Sequence, residues 1–217
     1  MDAAIPGALT AMYSAYSVTI VDYGMGNLWS VANALRFLGC EPRMCGDPQQ
    51  VCTAPVLVLP GVGSFRRAMQ ALDSRGLSDA LREAVQKRDA KLLGICLGMQ
   101  LLAERGSEDG VSAGLGLVPG QVDRFEAAGI KVPHVGFNSV HHSPGSRLFA
   151  GVDNPADFYF VHSFRLSERS GPGLYARTIH GEEFVSAYEH GNVFGTQFHP
   201  EKSQTNGLRL LRNFLAA

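Results

Sequence analysis

The chain has 217 residues, 45% of them hydrophobic, with 19 Lys and Arg set against 20 Asp and Glu for a net charge of −1. That balance suits one soluble globular domain that buries most of its apolar surface, and it leaves no basic face for nucleic acid. No apolar run approaches the ~20 residues of a bilayer-spanning helix, so no membrane partner is expected.

Residues 1–16 lack the basic start and strong apolar core of a secretion signal, and they read as a flexible extension before one domain over 17–217. Val18–Asp22 ("VTIVD") is a β-branched run, followed by the turn "YGMGN" and then "LWSVANALRFLG" at helical spacing, with Gly39 placed to cap it. The GxG in that turn is not a dinucleotide fingerprint. Trp29 stands where the third glycine belongs, and no acid follows at the required distance. "PVLVLPGVGSF" repeats the pattern, with a strand at Val56–Leu59, a glycine turn at Pro60–Gly63 and a helical stretch from Arg66. "KLLGICLGMQLLAE" gives it a third time. Strand and helix in alternation predict an open, mostly parallel α/β sheet with helices on both faces.

The second half changes character. "GLGLVPGQVDRFE", "DFYFVHSF", "EFVSAYEHG" and "NVFGTQFHPE" read as strands joined by turns, an antiparallel extension of the same domain. "QTNGLRLLRNFLAA" closes the chain as an amphipathic helix. His141, His142, His180 and His190 read as loop or turn residues. His134 and His162 lie in more structured settings, where they either line a site or are satisfied core groups.

The four cysteines are Cys40, Cys45, Cys52 and Cys96, with no CxxC pair and no histidines at zinc-ligand spacing beside them. No metal site is expected, and reduced thiols in a cytoplasmic protein fit best. Cys96 differs from the rest because Gly94 and Gly98 flank it where a strand gives way to a helix. G-x-nucleophile-x-G is the elbow that pushes one side chain out from a strained turn. A thiol at a helix start sits near free N–H groups that favour the thiolate, and the Leu97 N–H is placed to receive an oxyanion. "QFHPEK" supplies a base: Pro200 holds His199 extended, and Glu201, two residues on along a strand, falls on the same face to hold one imidazole nitrogen.

"GICLGMQ" and "QFHPEKS" resemble the class I, triad-type glutamine amidotransferases. "IVDYGMGNLWSV", "LPGVGSF", "KVPHVGFNSV" and "YFVHSF" narrow the resemblance to the glutaminase subunits of imidazole glycerol phosphate synthases, in order from about Val18 to Leu215. The resemblance implies a flavodoxin-like sheet, L-glutamine as substrate, no cofactor, and a (β/α)8 cyclase subunit as heterodimer partner. It makes Cys96 the nucleophile, His199 the general acid and base, and Glu201 the orienting carboxylate. A backbone N–H near Val62 becomes the second oxyanion donor, and the turn around it, with Gly61 and Gly63, helps hold glutamine. Gln100, Glu108, His162 and Ser163 match positions that hold the amino-acid end of glutamine, while Asn27, Phe137, Tyr159 and Lys202 fall at the partner interface. Two departures stand out: Phe137 where Trp is usual, and Phe164-Arg165 after His162-Ser163 where two tyrosines are usual. They bear on which partner is served, the histidine-pathway cyclase or a homologue amidating a bacterial surface sugar.

Overall fold

The computed structural model describes residues 17–167 and 171–217; the expected extension over 1–16 lies outside them. Five parallel strands form the centre. They are β1 (Val18–Val21), β2 (Arg43–Cys45), β3 (Val56–Gly61), β4 (Lys91–Cys96) and β13 (Val193–Thr196), in the order β2-β1-β3-β4-β13.

Alternation along β3 shows why both faces are covered. Val56 and Val58 enter one apolar cluster with α1 (Leu28–Phe37) and α6 (Gln204–Ala216). Leu57 and Leu59 enter the other, with α3 (Phe65–Ser74), α4 (Leu77–Lys87) and α5 (Leu97–Leu101). A strand buried on both sides has no polar alternation, as its continuous apolar run requires. Gly39 follows the α1 cap residue Leu38 at φ +87°, the left-handed position that favours glycine. Among the elements that escaped the sequence reading are β2 and α2 (Pro48–Thr53). The helix α2 is started by Asp47, whose side chain accepts from the Gln49 N–H.

The antiparallel extension begins where β12 (Glu182–His190) pairs with β13. It continues antiparallel through β10 (Phe164–Leu166) and β7 (Val118–Arg124). β5 (Ala103–Gly106) then lies parallel to β7, against the expectation of a purely antiparallel extension, and β6 (Ser112–Ala113) pairs antiparallel with β5. A side branch runs from β12 through β11 (Leu174–His180) to β8 (His134–His142) and β9 (Ala156–His162). His141 and His142 therefore pair within β8, against Arg177 and Ala176, rather than lying in a loop. His180 and His190 end β11 and β12 directly before their turn glycines. Among the described residues, no helix is long and apolar enough to cross a membrane.

Candidate active site

The parallel strands β3 and β4 deliver their carboxyl ends side by side, with Gly61 in register with Cys96. Cys96 is the turning residue between β4 and α5, at φ +54° and ψ −112°, a strained conformation for any side chain with a Cβ. The flanking glycines are needed because helix and strands nearly touch. A Cβ on Gly98 would fall 1.7 Å from the Leu59 carbonyl oxygen, and one on Gly94 would fall 2.7 Å from the Met99 nitrogen. The expected elbow is present, but its thiol is not exposed. Cys96 is 6% accessible, reached through a cleft of about 280 Å³. Its sulfur lies 3.8 Å from the Val161 carbonyl and 3.7 Å from Gln197 Nε2. Cys40 and Cys45 are buried and free, and Cys52 is half-buried and free.

His199 borders the same cleft. Its backbone is extended, and its Nδ1 lies 2.8 Å from Glu201 Oε1. The expected contact forms, though not on a strand. β13 stops at Thr196, and Pro200–Lys202 is a 3₁₀ turn that swings the Glu201 carboxylate back under the imidazole. Ser203 fixes this turn: its hydroxyl donates to the His199 carbonyl at 2.6 Å and accepts from the Tyr159 N–H at 3.0 Å. His199 Nε2 has no hydrogen-bond partner among the described residues. Burial works against a charged imidazole here, but neighbouring Cys96 and Glu201 outweigh it and push His199 up to about 10.

Val62, Gly63, Leu97, Gln100, Glu108, His162 and Ser163 all line the cleft. Gly61 does not; it ends β3 just behind the wall. The Glu108 carboxylate accepts from the Phe65 N–H at 2.9 Å, at the start of α3, and burial raises its pKa despite that bond. Gln100 donates to the Phe164 carbonyl at 2.8 Å and to Gln197 Oε1 at 3.0 Å. The Phe164 carbonyl also receives His162 Nδ1 at 2.8 Å, while His162 Nε2 meets His134 Nδ1 at 3.0 Å. Burial lowers His162 to about 3 and His134 to about 4, so both are neutral near pH 7. His162 thus borders the cleft, and His134 is a buried partner behind it.

Four residues lie apart from the cleft. Asn27 is exposed and caps α1 through Ser30. Phe137 is 51% exposed and faces Tyr159 across the β8–β9 pair, ring to ring at 5.6 Å, with Lys202 Nζ 5.7 Å from the Tyr159 ring. Val135 and Val161 are exposed on the same pair, and Val161 also reaches the cleft. Within the second departure, Phe164 borders the cleft, whereas Arg165 is buried in an ion pair with Glu182 at 2.8 Å. The sequence reading missed Gln197 beside the Cys96 sulfur. The period-two argument applied to His199 and Glu201, taken one step back, would have found it.

A cysteine elbow at the end of a parallel strand, with a carboxylate-held histidine beside it, is the architecture of a class I amidotransferase. The chain belongs to that family, matching Glutamine amidotransferase class-I over residues 19–217. It is 48% identical over 197 residues to "Imidazole glycerol phosphate synthase subunit HisH" of Moorella thermoacetica, covering 91% of this chain and 93% of that one. It is 43% identical over 201 residues to "Imidazole glycerol phosphate synthase hisHF, chloroplastic" of Arabidopsis thaliana, covering 91% of this chain but 34% of that protein. Among solved structures, PurLQS from Thermotoga maritima superposes with a TM-score of 0.74 at 18% identity, covering 93% of this chain and 98% of that one, which is likeness of fold.

Proposed function

We propose that this protein is the cytoplasmic glutaminase subunit of an imidazole glycerol phosphate synthase, passing ammonia from L-glutamine to a (β/α)8 cyclase subunit in histidine biosynthesis. The observation that carries the reading is Cys96, held at positive φ on the cleft shared with a Glu201-bound His199. The relatives' names support the pathway. The plant relative's much greater length supports a partner, since this chain matches only a third of it.

The Cys96 thiolate attacks the side-chain amide carbon, and the carbonyl π pair moves onto oxygen. That oxyanion rests on the Leu97 N–H and on the N–H of Val62. His199 gives its proton to the amide nitrogen, the C–N bond breaks, and ammonia departs, leaving a γ-glutamyl thioester. His199, now neutral, takes a proton from water as the water's oxygen attacks the thioester. Collapse expels the thiolate and yields glutamate. No cofactor takes part. Ammonia released into bulk water would be mostly protonated and no longer nucleophilic, so a sealed route to the partner has a chemical purpose. The exposed apolar pair β8–β9, which carries Phe137 and Tyr159 and reaches the cleft at Val161, suits that seal, with Lys202 against Tyr159 and Asn27 exposed at the start of α1.

Glu108, half-buried at the cleft wall, meets the substrate ammonium, while Gln100, Ser163 and the His162-fixed strand bind its carboxylate end. Glu108→Gln keeps an oxygen for the Phe65 N–H but loses the charge. The KM for glutamine is expected to rise about tenfold to a hundredfold, with a smaller change in kcat, by steady-state assay.

The glycines around Val62, with Gly63 at φ +107°, let the peptide between Gly61 and Val62 turn cheaply. The test is co-purification with the histidine-pathway cyclase and a glutaminase assay with and without it. Weak hydrolysis alone and a large rise with partner and its ligand are expected. No hydrolysis in either state contradicts the glutaminase reading, and a high rate independent of partner contradicts the turning peptide. A second reading, ammonia supply for amidating a surface sugar, is favoured by Phe137 on the exposed face. Hydrolysis without coupled turnover by the histidine-pathway cyclase would select it.

A further inference from the structure

Tyr23 stands beside the cleft and has no part in the reaction written above. It is 1% exposed, and its phenol oxygen has no hydrogen-bond partner among the described residues. A buried hydroxyl left unpaired destabilises the fold, so phenylalanine would serve the core better unless the hydroxyl is used at another moment. Burial, and after it the charge of Cys96, push the phenol's ionisation upward, so it is a hydrogen-bond donor at neutral pH.

Its position says what it can meet. β3 is flanked by β1 on one side and by β4 on the other. Tyr23 follows the end of β1, Cys96 ends β4, and Gly61 lies between them at the end of β3. A Cβ built on Gly61 would fall 2.5 Å from Tyr23 Oη, so the hydroxyl occupies the place a side chain would take. The Gly61–Val62 peptide is planar, and its C=O and N–H point in opposite directions. When the Val62 N–H turns toward the β4 side, where the oxyanion forms, the Gly61 carbonyl must swing toward the β1 side. Tyr23 reaches Gly61 from the end of β1, on that side of β3.

We infer that Tyr23 is a positioning residue whose hydroxyl donates to the Gly61 carbonyl once the Gly61–Val62 peptide has turned its N–H toward Cys96. The hydroxyl is idle in the resting turn and bonded in the active one, which biases the peptide toward the active state. The inference rests on the proposal that this turn supplies the second oxyanion donor.

The test compares wild type and Tyr23→Phe in complex with the cyclase. It measures kcat and KM for glutamine, the rate of Cys96 alkylation by iodoacetamide, and thermal unfolding. Alkylation displaces iodide from carbon and forms no oxyanion, so it reports on the thiolate alone. The expected result is a kcat lower by about three- to tenfold, the worth of one net hydrogen bond. KM and alkylation rate should be unchanged, and Tm equal or higher. An unchanged kcat overturns the inference, because the hydroxyl then does nothing for the turn. So does a joint fall of kcat and alkylation, which would place its effect on the sulfur. A Tyr23→Phe protein that unfolds also overturns it, by making the hydroxyl part of the fold. A wild-type complex that leaves glutamine intact overturns the glutaminase reading and this inference together; a working wild type matched by Tyr23→Phe overturns this inference alone.

Discussion

Cys96→Ala, assayed in complex with the cyclase, is expected to lose glutamine hydrolysis by about 10⁴-fold or more, the scale on which removing a nucleophile acts. Ammonia added directly should still support synthesis by the partner. The separation follows from where the sulfur sits. Alanine keeps the Cβ that Cys96 already holds at φ +54°, so the elbow is no more strained than before. The contacts given up are long ones to the Val161 carbonyl and Gln197 Nε2, together with the attraction to the His199 imidazole. The glycines that let α5 cross β3 are untouched. Glutamate release and ammonia-dependent turnover, measured on one preparation, decide the matter. Loss of both would make Cys96 a structural residue and remove the nucleophile from the scheme.

What the sequence disclosed follows from what is local. The elbow was legible because two glycines flank Cys96 where an apolar run gives way to a helical pattern, although the contact that forces Gly98 is to Leu59, distant in sequence. The His199–Glu201 contact was legible through Pro200, although the element was not. A 3₁₀ turn and an extended strand both bring residues two apart close enough to touch, and only the Ser203 bonds to the His199 carbonyl and the Tyr159 N–H decide between them. β8 was hidden because His141-His142 beside Ser143 and Pro144 has the composition of a turn. Its strand geometry comes from pairing with β9 and β11, partners distant in sequence. Tyr23 under Gly61 was beyond any local pattern, since it depends on β1 and β4 flanking β3 from opposite sides. The glycine at 61 is thus explained by a side chain 38 positions earlier, a relation that spacing rules do not express.

The Glu201 carboxylate offers the other large effect. Its side chain is 1% exposed, one oxygen binds His199 Nδ1 at 2.8 Å, and the second has no partner among the described residues. Such a group fixes the proton on Nδ1 and leaves Nε2 free to exchange protons at the sulfur and the departing ammonia. Glu201→Gln keeps the shape but removes the charge, and it lets an amide N–H face Nδ1, which favours the wrong tautomer. A fall in kcat of about 10³- to 10⁴-fold is expected, with KM for glutamine nearly unchanged. The pH profile gives an independent sign. Cys96 and Glu201 are what hold His199 above its ordinary range against burial. With the Glu201 charge gone, His199 releases its proton at lower pH, so the acid needed for ammonia departure is lost sooner. The alkaline limb of kcat/KM should therefore move to lower pH in Glu201→Gln than in wild type. An equal loss of rate with an unmoved alkaline limb would mean that Glu201 holds the 3₁₀ turn in shape and does not govern the imidazole's proton.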